Sequence, residues 1–279
     1  MSSLNIYAFA DEASGQITGQ IAAMRRNGLH GLEIRGVDGQ NISDITLEKA
    51  REVRRLLDDA GLIVWSIGSP IGKISIESPN FSAHLDKLQH TLELADVLGA
   101  KNLRMFSFYV QGQQVFQYRH KVLDQVGQML RLAKGSGVAL CHENEKGIYG
   151  DTPERCLDLL TIYPELRGIF DPANFIQCGV DTVEAWKLLR DRIRYLHIKD
   201  ALENGKVVPA GKGIGFVRSI LDDFRARGGT DVTIEPHLSV FDGLKDLEQA
   251  GNRTQVDEYC YESSDAAFDA ACNALKELL

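Results

Sequence analysis

Val138-Ala139-Leu140-Cys141-His142-Glu143-Asn144 decides how the chain is read. A short run of strand-forming residues ends abruptly in a carboxylate. A polar, turn-forming segment (Glu145-Lys146-Gly147-Ile148-Tyr149-Gly150) follows, and Asp151-Thr152-Pro153-Glu154 then opens a helix with a threonine cap and proline at the first helical position. The same design recurs three times, in Gly168-Ile169-Phe170-Asp171, Tyr195-Leu196-His197 and Val232-Thr233-Ile234-Glu235. Each apolar run delivers one acidic or imidazole side chain at its C-terminal end.

Outward from these runs, strand-like and helix-like periods alternate about eight times. Strands are expected at 4–10, 31–35, 62–67, 101–106, 138–143, 168–171, 193–198 and 231–235. Between them, helices run from Ile17 to Gly28, from the Thr46 cap to Gly61, and along the stripe of Leu85, Leu88, Leu92 and Ala95 to Gly99. A long helix spans 115–134, and Asp181-x-x-Glu184 resembles a capping box. A last helix covers 264–279. Eight β-then-α units with no break in composition predict one (β/α)8 TIM barrel over residues 1–279. A doubly wound open sheet fits less well, because no glycine-rich dinucleotide turn follows the first strand.

Composition narrows the function. The chain of 279 residues is 44% hydrophobic and 25% charged, ordinary values for a globular domain. A net charge of −8 argues against a nucleic-acid partner, which needs a basic face. Five scattered cysteines (Cys141, Cys156, Cys178, Cys260, Cys272) form no CxxC pair and read as reduced, structural thiols of a cytoplasmic protein. The acidic N-terminus is no signal peptide, and no run approaches the roughly 20 apolar residues that span a membrane.

Active groups of such a barrel sit at the C-terminal ends of its strands. Glu143, Asp171, His197 and Glu235 end strands five to eight, and neighbouring strands lie about 4.8 Å apart, so the four side chains can meet at one point. A lone carboxylate at a strand end is usually a solvated rim group, and a lone histidine is usually structural. Four on successive strands are not independent, and together they predict a metal site. Three carboxylates and one imidazole favour Mn²⁺ or Mg²⁺, with Co²⁺ next, over Zn²⁺. Pro172 and Pro236 follow two of the carboxylates and hold them in extended geometry.

Read together, Leu140-Cys141-His142-Glu143-Asn144, Phe170-Asp171-Pro172-Ala173-Asn174, Leu196-His197-Ile198-Lys199-Asp200 and Ile234-Glu235-Pro236-His237 resemble the xylose isomerase-like TIM-barrel superfamily. Within it, the chain resembles the sugar phosphate isomerase/epimerase group that includes ketose 3-epimerases. The resemblance implies one divalent metal, typically Mn²⁺, on Glu143, Asp171, His197 and Glu235. It also implies that Glu143 and Glu235 form the acid/base pair. Dimers and tetramers are common in that group, so a homodimer or homotetramer is implied here. The chain departs from ketose 3-epimerases at Asn174, where they carry histidine, and at Glu203, where they carry arginine.

The expected reaction is proton abstraction through an enediolate of a keto-sugar or polyol, giving an isomer or epimer. The alternative is dehydration of a keto-polyol or keto-acid by the same chemistry, as in inosose dehydratases. Substrate contacts are expected from Glu33, Lys73, Arg104, Asn174, Lys199 and His237; for each, a structural ion pair or rim group is about as expected a role. Arg35 lies just beyond strand two. His142 alternates away from Glu143 and reads as structural, and Trp65 reads as core. Gly211-Lys212-Gly213-Ile214-Gly215 follows strand seven, where barrels often hold phosphate, so substrate phosphorylation stays open. A DNA-repair endonuclease would need a histidine-rich rim, and seven histidines in all do not supply one. A non-catalytic sugar-binding barrel would be expected to have lost a ligand, and none is missing.

Overall fold

A computed structural model describes residues 4–110, 115–239, 259 and 261–279. The strand-like runs form eight parallel strands that close on themselves. They are β1 (Asn5–Ala8), β2 (Gly31–Ile34), β3 (Ile63–Ile67), β4 (Asn102–Met105), β5 (Ala139–Glu143), β6 (Arg167–Phe170), β7 (Ile193–Ile198) and β8 (Asp231–Ile234). Each pairs with its sequence neighbours, and β1 pairs with β8 through Asn5–Asp231 to Ala8–Ile234, which closes the barrel.

The helices are α1 (Ile17–Asn27), α2 (Leu47–Asp59), α3 (Phe81–Leu98), α4 (Val115–Ala133), α5 (Pro153–Ile162), α6 (Pro172–Gln177), α7 (Thr182–Leu189), α8 (Val217–Ala226) and α9 (Ser264–Glu277). Their ends follow the cap chemistry. Thr46 Oγ1 accepts from Lys49 N at 3.1 Å, and Gly28 and Gly99 end α1 and α3 in the left-handed conformation. Asp181 caps α7 by accepting from Val183 N and Glu184 N, but Glu184 bonds Lys187 and does not complete the box.

Two expectations need correction. The first strand stops at Ala8, and a 3₁₀ turn over Ala10–Glu12 carries the chain across the barrel mouth. Pro172 does more than end a strand: it opens α6, with Asp171 as its N-cap. Cys260 lies outside the described residues; Cys141, Cys156, Cys178 and Cys272 are free thiols.

Two of the buried apolar clusters follow directly from the closure. The larger packs helices onto the outer face of the strands. A small one of Cys141, Ile169 and Tyr195, with Trp65 and Ala139 against it, fills the inside. Cys141, Ile169 and Tyr195 each stand two residues before a rim group (Glu143, Asp171, His197), so alternation puts that group on the same inward face, one layer higher. Trp65 stacks on Tyr7 at 4.8 Å, in the core as expected. Among the described residues, no helix is long and apolar enough to cross a membrane.

Candidate active site

The four strand-end groups meet. One ligand atom from each of Glu143, Asp171, His197 and Glu235 lies within 4.8 Å of the others, and all four residues are buried. His197 Nδ1 is 2.9 Å from Glu143 Oε1 and 3.4 Å from Glu235 Oε2. Asp171 Oδ1 accepts from Asn174 N, whereas Oδ2 points into the cluster and faces the Lys199 ammonium, at 2.9 Å. A buried carboxylate oxygen with spare lone pairs, facing two more carboxylates and an imidazole, is a donor set that suits a hard divalent cation.

Local contacts fix each group. Asn144 clamps the Asp171 backbone in both directions: its Nδ2 donates to Asp171 O, and its Oδ1 accepts from Asp171 N, each at 2.9 Å. Asn174, on the first turn of α6, donates through Nδ2 to Glu143 Oε1 at 3.2 Å and to Asn144 O at 2.9 Å. Its amide, expected as a substrate contact, therefore reaches Glu143 at the edge of the quartet. Glu33, another expected substrate contact, also bonds a member of the quartet. It is fully buried behind His197; its Oε2 is 3.1 Å from His197 Nε2, and its Oε1 accepts from Tyr195 Oη at 2.8 Å and Ser66 Oγ at 3.3 Å. Such a carboxylate fixes the ring orientation of a histidine whose other nitrogen faces a ligand site.

Three buried cations balance the acids. Lys199 Nζ is 2.9 Å from Asp171 Oδ2 and 3.0 Å from Glu235 Oε2. Arg104 is 3.2 Å from Glu143 and 3.9 Å from Glu235, with its guanidinium against the rings of Phe9 and Phe106. Arg35 binds Asp11, Glu12 and Glu235. Arg104 and Lys199, both expected as substrate contacts, lie directly against the quartet. Lys73 sits at the loop after β3, paired to Glu145 at 2.9 Å and lying over Phe106. His237 reaches the quartet from the far side, 3.3 Å from Glu235 and 3.5 Å from Glu12.

Sequence reading missed Asp11 and Glu12, because the strand-end pattern breaks at Ala8 and the 3₁₀ turn brings them in. Glu12, Glu235 and His237 form a second close group that shares Glu235 with the first.

Burial and charge pull the acids apart. Burial raises Glu143, but His197 and Arg104 outweigh it and hold the carboxyl down at about 2. Burial lifts Asp171 to about 8, against the pull of Lys199. It lifts Glu12 to about 8 despite Arg35. Glu235 is held well below the carboxylate range, burial notwithstanding, chiefly by Lys199 and His237. His142, bonded to Ser107 Oγ at 2.9 Å, is pushed by burial to about 4 and is structural.

The glycine-rich loop after β7, which left substrate phosphorylation open, is already filled. The N–H groups of Gly211, Gly213 and Gly215 all point at the Asp200 carboxylate.

Fold and site together define a (β/α)8 barrel whose C-terminal rim gathers a carboxylate–imidazole quartet. The xylose isomerase-like TIM barrel family model matches residues 21–250, and the chain belongs to that family. No protein of curated function matches it by sequence. Solved structures share the fold at low identity. A probable 3-DHS dehydratase, AsbF, from Bacillus anthracis is 18% identical with a TM-score of 0.72, over 98% of this chain and 99% of that one. The apo form of the 3-keto-D-glucoside 4-epimerase YcjR from E. coli is 16% identical with a TM-score of 0.70, over 99% of each. The IOLI protein, solved with a binding zinc atom, is 13% identical with a TM-score of 0.75, over 99% and 98%.

Proposed function

We propose that the protein is a divalent-metal-dependent enzyme that isomerises or epimerises a keto-sugar or sugar-like polyol. The observation that carries this is the quartet itself: four ligand atoms within 4.8 Å, buried, delivered by successive strand ends. Glu143, Asp171, His197 and Glu235 would hold the cation, Mn²⁺ by the hardness of the set. Bound there, it supplies a Lewis acid that acidifies a C–H beside a carbonyl and its neighbouring hydroxyl.

The chain's own groups do the rest. Glu143 and Glu235 are both held as carboxylates by the charges around them, so either can serve as the base, and its partner on the other face becomes the acid once it has taken a proton from solvent. One takes the proton from carbon. Return to the same carbon from the opposite face gives an epimer, and return to the neighbouring carbon gives an isomer. Glu33 positions His197, and Asn174 positions Glu143. Lys199 and Arg104 keep negative charge at the rim from repelling an oxygen-rich substrate. Lys73 and His237, at the edge of the cluster, contact hydroxyl groups of the substrate.

Incubation with Mn²⁺ and a panel of ketoses, inososes and sugar acids in D₂O tests the reading. Deuterium should enter substrate carbon with the wild type, and Glu143→Gln and Glu235→Gln should abolish exchange while keeping the circular dichroism of the fold. Full exchange in either variant overturns the assignment. A product that gains enone absorbance moves it to the dehydratase, which shares the proton-abstraction step.

A further inference from the structure

The run Gly211-Lys212-Gly213-Ile214-Gly215 has the composition of an anion-binding loop, and it ends just before α8 begins at Val217. Exposed backbone N–H groups in such a loop make a concave seat for an oxyanion. Here the seat is occupied by the chain itself. Asp200 is fully buried; Oδ1 accepts from Ala201 N and Gly215 N, each at 2.9 Å. Oδ2 accepts from Gly211 N at 2.9 Å and Gly213 N at 3.1 Å.

Among the described residues, no ion pair reaches this carboxylate. Four backbone donors alone hold it. The glycines are spaced for it: a Cβ at Gly213 would stand 2.4 Å from Asp200 Oδ1, and one at Gly215 2.6 Å. The loop also lies against the metal-facing rim, since a Cβ at Gly215 would be 3.2 Å from Pro172 Cβ, next to Asp171.

We propose that Asp200 is a built-in stand-in for a phosphate group, filling the oxyanion seat after β7 and so restricting the site to substrates that carry no phosphate there. An incoming phosphate meets a like charge and finds no free N–H. The limit on substrates rests on the proposed isomerase or epimerase; the filled seat does not.

The seat is tested without turnover. In ¹⁵N-labelled wild type, saturating inorganic phosphate should leave the Gly211, Gly213 and Gly215 amide resonances in place. Asp200→Ala should melt lower, and phosphate or sulfate should restore its melting point saturably, where chloride at equal ionic strength does not. Phosphate-induced shifts of those amides in the wild type overturn the proposal. So does a folded Asp200→Ala that is indifferent to both oxyanions. If that variant does not fold, the wild-type titration decides alone. In the exchange panel, Asp200→Ala should raise the ratio of phosphorylated to free ketose turnover at least tenfold. Absence of exchange for every sugar sinks the proposed reaction, while the seat stands or falls on the phosphate titrations.

Discussion

Each residue of the quartet is placed by backbone parity. Glu143, Asp171 and His197 stand two positions beyond inward core residues, so a one-residue shift would turn each out of the barrel. That is why they were legible in sequence: the period-2 pattern carries the position, and the abrupt end of the apolar run carries the exposure to the rim. Glu33 was visible as a strand-end group, but its role was not. Its partners, Tyr195 and His197, lie 162 and 164 residues away, and only barrel closure brings them together. Because Glu33 holds the far nitrogen of His197, Glu33→Gln should weaken manganese binding by about 10–100-fold. Isothermal titration with Mn²⁺ measures this, and an unchanged affinity removes Glu33 from the site.

At the scale of elements, caps and glycine stops were readable, but a tight turn that borrows a side chain from elsewhere was not. The short helix α6 hid behind Pro172, whose ring suits a first helical position as well as a strand end. The loop after β3 is a second case. Gly72 N donates to His84 Nε2 at 2.7 Å, which ties the loop bearing Lys73 to the first turn of α3. At φ +90°, Gly72 also sits where a Cβ would be 2.0 Å from Phe106 O, so Gly72→Ala should cost several kcal/mol, read by urea unfolding.

His84 gives the same tie a pH dependence. Burial lowers its pKa to about 4, with Lys87 adding to the effect, and the ring must be neutral to accept from Gly72. The unfolded chain takes up its proton near pH 6.5, the folded one only near 4, so His84's contribution is complete above about 6.5 and declines as pH falls toward 4. Between pH 7.5 and 5 the wild type should lose about 1–2 kcal/mol more than His84→Gln. Equal losses would show that the ring is not held neutral.

For the whole molecule, closure concentrates charge. Asn5 Nδ2 and Tyr7 Oη both donate to Asp231 Oδ1 (3.0 and 3.3 Å) where the first and last strands join, and the opposite end of the barrel gathers Glu12, Glu33, Glu143, Asp171 and Glu235 around Arg35, Arg104 and Lys199. Buried acids so close cost desolvation and mutual repulsion that neighbouring cations offset only in part. A divalent ion that binds the folded rim, and not the dispersed ligands of the unfolded chain, adds stability as RT ln(1 + [metal]/Kd), about 2.7 kcal/mol at one hundred times Kd. For a chain of this size that raises the melting temperature by roughly 5 °C. Manganese should therefore lift the melting point of EDTA-stripped protein in a concentration-dependent way, and EDTA should reverse it. Asp171→Asn should lose most of the shift, and Glu48→Gln, on the outer helix α2, should keep it. A wild-type melting curve unmoved by saturating manganese would leave the quartet a network of buried ion pairs and remove the basis for the proposed chemistry.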